Sequence, residues 1–344
     1  MKIKKIEEIG EFGLINRIDS KFNSNRKSTI IGIGDDSAII DNSKSLTLIT
    51  SDMLIEGVHF DLSFFPLKHL GYKSVVVNLS DIYSMNGCPN QIILNIGISS
   101  KFSLKAIDEF YDGIKIACDE YFVDLVGGDT TTSITGMVIS CTAIGTVLKK
   151  NISLRSGAKE HDVLCVSGDL GRSFLGLKIL QREKRVFLNN PEMQPKLNTY
   201  KNIIEKQLRP VARVDIINIL KDYKIIPSSM IDISDGLASE ILHLSEASNL
   251  GAKIFEEKLP ILEETKLVAK EFDLNFSNCA LNGGEEYELL FSITPNEYEL
   301  IKKNNIDIKP IGYFTKDKSK KIVLSNGKED ELKSFGWKHF NQLF

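Results

Sequence analysis

The chain alternates between helical and extended hydrophobic periods. Ile6, Ile9, Leu14, Ile15 and Ile18 recur at roughly helical spacing, which predicts one amphipathic helix, or two short ones, over residues 3–22. A polar stretch at 20–28 is expected to be mobile. Ile30 to Ile40 reads as strand, glycine turn and strand, and Leu46 to Thr50 as another strand. Residues 69–86 predict a helix with Val75, Leu79, Ile82 and Met85 on one face and Ser74, Asn78 and Asp81 on another. Asn86-Gly87 and Pro89 stop it. A strand at Ile92 to Ile98, a helix at Leu104 to Tyr121, a Gly-Gly-Asp turn and a strand at Met137 to Val147 follow. Hairpin-like strands mixed with helices predict an α+β fold rather than strict βαβ alternation.

Near residue 150 the pattern shifts. Lys149-Lys150-Asn151 and Arg155-Ser156-Gly157-Ala158-Lys159 form a polar, basic joint, which divides the chain into units 1–149 and 150–344. Beyond it, a strand at Val163 to Val166 enters Ser167-Gly168-Asp169-Leu170-Gly171-Arg172-Ser173, which opens a helix through Leu180. Residues 183–199, charged and with two prolines, read as a surface loop. Helices are expected at Tyr200–Leu208, Val211–Leu220, Gly236–Asn249, 262–273 and Pro295–Asn304, the third capped by Ser234-Asp235. Strands are expected at Tyr287–Ile293 and Ile308–Phe314, and a hairpin around Ser325-Asn326-Gly327 leads to Trp337.

Composition narrows the class. With 344 residues, 42% hydrophobic and 26% charged, the chain is long enough for two domains and too apolar to be wholly disordered. A net charge of −3 argues against a general nucleic-acid binder. No apolar run approaches the ~20 residues of a membrane span, and the basic N-terminus lacks the apolar segment of a signal peptide. A cytoplasmic protein with no nucleic-acid or membrane partner is expected. Five cysteines without a C-x-x-C pair argue against a zinc site or a disulfide framework.

The candidate chemistry lies in a repeated grammar. Six times an apolar segment adjoins acids set among Gly, Ser, Thr or Asn: Gly34-Asp35-Asp36, Ser51-Asp52, Asn78-Leu79-Ser80-Asp81, Gly127-Gly128-Asp129-Thr130, Asp232-Ile233-Ser234-Asp235 and Gly283-Gly284-Glu285-Glu286. Clustered carboxylates repel one another, so acids that converge imply a bound cation such as Mg²⁺. A structural reading stands beside each. Asp129 can be a turn former, Asp81 a solvated helix acid, and His59 a packing residue. Gly168 to Ser173 lacks the Walker pattern and reads as a packing turn before a helix.

Taken in order, these motifs, with Tyr287-Glu288-Leu289 and the terminal Gly336-Trp337-Lys338-His339-Phe340, resemble the thiamine-monophosphate kinase family of the aminoimidazole ribonucleotide synthetase superfamily. The resemblance implies a two-domain PurM-like fold: an N-terminal mixed sheet with helices that pairs in a homodimer, and a C-terminal α/β domain. It implies ATP-dependent, Mg²⁺-assisted, direct in-line phosphorylation of thiamine monophosphate to thiamine diphosphate. It implies several Mg²⁺ ions held by Asp36, Ser51, Asp52, Asp81, Asp129, Asp232 and Asp235, with Asp52, Asp129 and Asp232 as the catalytic carboxylates. Tyr111, Gly128, Arg155 and Ser234 would contact the nucleotide, and His59, Glu285 and Trp337 the thiamine phosphate. Ser51 stands where many relatives have Thr, Glu286 replaces a frequent Asp, and Arg172 is an addition. Another ATP-using member of the superfamily, of hydrogenase-maturation or selenophosphate-synthetase type, is the alternative. A non-catalytic metal-binding module would leave His59, Arg155 and Trp337 unexplained.

Overall fold

The computed structural model of the chain describes residues 29–336 other than 32–34, 43, 100, 305 and 307. The helix expected within 3–22, the polar stretch at 20–28, the glycine turn at 32–34 and Trp337 lie outside the described residues.

One six-stranded sheet has the order β1 (Thr29–Ile31), β2 (Ala38–Asp41), β3 (Leu46–Ile55), β6 (Val138–Val147), β4 (Cys88–Ile98), β5 (Asp124–Thr132). Its pairings are antiparallel except that of β4 with β5. Strand β6 buries every second residue, among them Ile139, Cys141, Ala143 and Val147, the mark of a sheet covered on one face. Helix α1 (Leu67–Ser84) lies on β3 and β6, and α2 (Leu104–Tyr121) packs on α1. The two helices meet backbone to backbone. A Cβ on Gly71 would lie 1.9 Å from the Phe110 carbonyl oxygen, and one on Gly113 would lie 1.9 Å from that of Lys68. Sandwiched in this way, α1 is buried on its polar side too, including Ser74, Asn78 and Ser80. The solvated-acid reading of that face therefore fails.

The second sheet has seven strands in the order β13 (Glu329–Glu331), β12 (Lys320–Val323), β9 (Gly251–Phe255), β11 (Ile308–Thr315), β7 (Val163–Ser167), β10 (Leu289–Ile293), β8 (Ser229–Asp232). Only β12 and β9 pair in parallel. Its central strands are continuous apolar runs because both faces are covered. Cys165, Met230 and Phe291 join a core that continues into the first sheet and its helices, while Leu164, Val166, Ile231 and Leu290 face a separate core. Around this sheet lie α3 (Arg172–Asn189), α4 (Lys201–Leu208), α5 (Val214–Asp222), α6 (Leu237–Ala247), α7 (Glu263–Glu271), α8 (Phe276–Asn282) and α9 (Pro295–Lys303).

Four expectations change. Gly127-Gly128-Asp129 is no turn but the middle of β5, an edge strand whose nine residues are all exposed. Gly128 is required there by the neighbouring strand, since a Cβ would lie 1.7 Å from the Leu94 carbonyl oxygen. Strand β3 runs on to Ile55, so Ser51 and Asp52 sit within a strand rather than after one. Helix α3 extends to Asn189 through half of the expected loop, with Glu183 buried and accepting from the Lys196 amide at 2.8 Å. Ser234-Asp235 does not cap α6, whose first residue follows Gly236; instead Glu240 reaches back, its Oε1 accepting from the Asp235 amide at 3.0 Å.

Candidate active site

The acids meet in a cleft between the two halves. Asp36 precedes β2, Asp52 lies in β3, Asp81 sits in the last turn of α1, and Asp232 ends β8. Carboxylate oxygens of Asp36, Asp81 and Asp232 come within 4.8 Å of one another. Hydroxyls and one guanidinium hold them in place. Ser80 Oγ donates to Asp232 Oδ2 at 2.6 Å, tying α1 to the second sheet. Thr50 Oγ1 donates to Asp81 Oδ2 at 2.6 Å, and Ser84 Oγ to Asp36 Oδ2 at 3.0 Å. Arg155, in the joint between the halves, donates from Nε to Asp36 Oδ1 at 3.0 Å. The Asp52 amide donates to Asn78 Oδ1 at 2.9 Å.

The electrostatics follow from this crowding. Burial, then the charge of Asp36, pushes the Asp52 carboxyl up to about 6 and that of Asp232 to about 7. Burial, then Asp52 and Asp232, drives Asp81 well above the usual carboxylate range. Asp35 rises to about 6 through burial and Asp36. Glu240 is raised by burial and by Asp235. Three carboxylates, one buried and two half-buried, facing one another with a single guanidinium against them are expensive in water-poor surroundings unless a cation joins them. The donor set, hard oxygens only, suits Mg²⁺.

The cleft has a volume of about 1500 Å³. That exceeds the range of roughly 300–1,000 Å³ usual for a single small-molecule site and leaves room for two ligands. Of the residues singled out from the sequence, Asp36, Ser51, Asp52, Asp81, Arg155, Asp232, Ser234, Asp235, His59 and Glu285 all line it. Ser51 does so at arm's length: its hydroxyl bonds Thr142 Oγ1 at 2.9 Å and the Cys141 carbonyl at 3.2 Å, and its neighbour Thr50 is the residue that serves an acid. His59 Nδ1 accepts from the Ile55 amide at 3.0 Å, so a neutral ring carries its proton on Nε2. Tyr111, on α2, and Gly128 and Asp129, on the exposed edge β5, are not among the lining residues.

Other lining residues went unassigned in the sequence. Asp35 stood inside a quoted motif, next to the residue chosen. Thr50 could have been found from strand alternation, since it shares a face with Asp52. Glu240 and His243, on α6, and Lys178, Lys184 and Arg185, on α3, carried no sequence signal that set them apart from a solvated helix face.

Comparisons with known proteins agree over the whole length. The AIR synthase related protein family matches through its N-terminal domain at residues 34–147 and its C-terminal domain at 159–325. A thiamine-monophosphate kinase of Aquifex aeolicus is 33% identical over 98% of this chain and 100% of its own. One of Bacillus subtilis is 32% identical over 96% and 99%. A solved structure of AaThiL complexed with AMPPCP and TMP superposes with a TM-score of 0.84 at 31% identity, covering 99% of this chain and 100% of that one. Hydrogenase maturation protein HypE in complex with ATP has a TM-score of 0.68 at 15% identity, a likeness of fold alone. With both domains matched and full-length identity above 30%, the chain belongs to the thiamine-monophosphate kinase family of the AIR synthase related proteins.

Proposed function

We infer that the chain transfers the terminal phosphoryl group of ATP to thiamine monophosphate, giving thiamine diphosphate and ADP. The observation that carries the reading is the convergence of the Asp36, Asp81 and Asp232 carboxylates in a cleft large enough for two ligands, in a chain of this family. Asp36, Asp52, Asp81, Asp232 and Asp235 would hold Mg²⁺ ions. Bound Mg²⁺ screens the phosphate oxygens of two anions that would otherwise repel.

The chain's own groups then orient the reactants. Arg155 and Ser234 lie where the nucleotide phosphates would reach the acids. His59 and Glu285 offer a donor and an acceptor to the thiamine ring system, a role also assigned to Trp337. The acceptor is an ionised phosphate near neutral pH, so an oxygen of it can attack the γ-phosphorus directly while the bond to ADP breaks. No strong general base is needed.

A homodimer belongs to this reading. The outer edge of β5 has no described strand beside it, and Leu125 and Val126 are 41% and 57% exposed. Open apolar edges are normally covered. Tyr111, Gly128 and Asp129 take part only if assembly brings β5 beside a cleft, so their roles rest on the dimer. Residues 149 and 150 divide the two units in this reading, and the enzyme works in the cytoplasm; among the described residues no helix is long and apolar enough to cross a membrane.

A coupled assay with ATP, Mg²⁺ and thiamine monophosphate tests the function. Thiamine diphosphate should form in proportion to ADP and cease with a chelator. ADP release that does not depend on thiamine monophosphate would overturn the choice of acceptor.

A further inference from the structure

Lys73 has no part in the machinery described so far, yet its side chain is only 1% exposed. An ammonium is tolerated in the interior only when paired. The hydrogen-bonding partners of Lys73 come from the other half of the chain. Its Nζ donates to Glu285 Oε1 at 2.7 Å and to the Gln207 carbonyl at 3.4 Å, and lies 5.4 Å from the centre of the Phe65 ring. Gln207 is buried as well. Its Nε2 donates to Glu285 Oε2 at 2.6 Å, while its Oε1 accepts from Ser173 Oγ at 2.6 Å, which fixes which way the amide faces.

The carboxylate of Glu285 is thus held from behind, one donor on each oxygen, and keeps 28% of its side-chain surface open at the cleft. Each oxygen retains a lone pair for a further donor. The backbone beneath it is unusual. Glu285 has φ 57° and Tyr287 φ 53°, left-handed conformations that residues with a side chain rarely adopt and that persist where the surroundings impose them.

We propose that Lys73 is a positioning residue for the acceptor: with Gln207 it fixes the direction of the Glu285 carboxylate, so that its outward lone pairs meet an N–H donor on the acceptor's ring. The proposal rests on the reading of Glu285 as an acceptor contact. It places one determinant of acceptor binding on α1, the helix that also carries Asp81, two turns further on.

Steady-state kinetics of Glu285→Gln, Lys73→Met and the double variant, with thiamine monophosphate and ATP varied in turn, test it. Loss of one charged hydrogen bond should raise KM for thiamine monophosphate by about tenfold or more in Glu285→Gln and leave KM for ATP within about twofold. Lys73→Met should show the same split, and the double variant should be no worse than either single one. If Glu285→Gln leaves KM for thiamine monophosphate unchanged, the reading of Glu285 falls and the proposal with it. If that variant shows the rise while folded Lys73→Met does not, or the two effects multiply, Lys73 is a structural ion pair only. Should Lys73→Met fail to fold, the double variant, which buries no lone charge, is compared with Glu285→Gln. An equal KM supports positioning, and a further rise beyond about threefold overturns it.

Discussion

Asp232→Asn puts the acid cluster to a quantitative test. Asp232 is 3% exposed, and burial together with the charge of Asp36 lifts its carboxyl from 3.8 to about 7. A rise of about three units corresponds to about 4 kcal/mol at 1.36 kcal/mol per unit, an upper bound on what ionising this group costs the metal-free fold. Asparagine keeps an oxygen for the Ser80 hydroxyl and removes the charge, which also eases Asp81. The metal-free variant should therefore be more stable than the parent at pH 8.5 by about 2–4 kcal/mol, or roughly 3–6 °C in Tm. The sign follows from proton binding. Between pH 3.8 and about 7 the folded parent holds a proton on Asp232 that the unfolded chain has lost, so parent stability falls as pH rises across that window. At pH 5, only about 1.2 units into that window, the advantage of asparagine should shrink to about 1.6 kcal/mol at most, well under half its value at pH 8.5. Mg²⁺ should narrow that gap at pH 8.5, since saturation at about 100 times Kd stabilises the parent by about 2.7 kcal/mol and a site short of one carboxylate gains less. Thermal melts at pH 5, 7 and 8.5, with chelator and with Mg²⁺, read all of this. A metal-free variant less stable than the parent at pH 8.5, or an advantage equal at pH 5 and 8.5, would refute the reasoning and make Asp232 a structural acid.

Two further outcomes bear on β5. Light scattering at micromolar concentration should show a dimer, and Val126→Lys, which places a charge on the exposed apolar edge, should shift it toward monomer; a monomeric parent would remove the dimer from the proposed function. Gly128→Ala should cost about 3 kcal/mol or more by denaturant titration, because its Cβ would meet the Leu94 carbonyl at 1.7 Å, whereas Gly127→Ala, with nothing within 4 Å, should stay within about 0.5 kcal/mol. Equal effects at the two glycines would contradict the strand pairing of β4 with β5.

Local signals carried the element order. Periodicity and stop residues located α2 at Leu104–Tyr121 as observed, and the apolar runs of β7 and β10 marked strands buried on both faces. The ordered acid motifs carried the family, because spacing along the chain is what a family preserves. Other features were invisible. The Gly-Gly-Asp segment looked like a turn because the close neighbour that demands glycine, Leu94, lies on another strand. The polar face of α1 looked solvated because nothing local shows that a sheet covers one side and α2 the other. Glu240 and Lys73 carried no sequence signal that set them apart.

The sequence by itself therefore determined most of the strands and helices and which residue types stand ready for a divalent cation and two anions, since both depend on short-range pattern. Only the tertiary structure decided which of those acids share one space. It brought Asp36, Asp81 and Asp232 within 4.8 Å, left Asp129 on an open edge, and set the Lys73 ammonium behind Glu285 from more than two hundred residues away in the chain. The physical reason is that a charge's energy depends on what lies within a few ångströms of it, and contacts at that range are made by packing between distant segments.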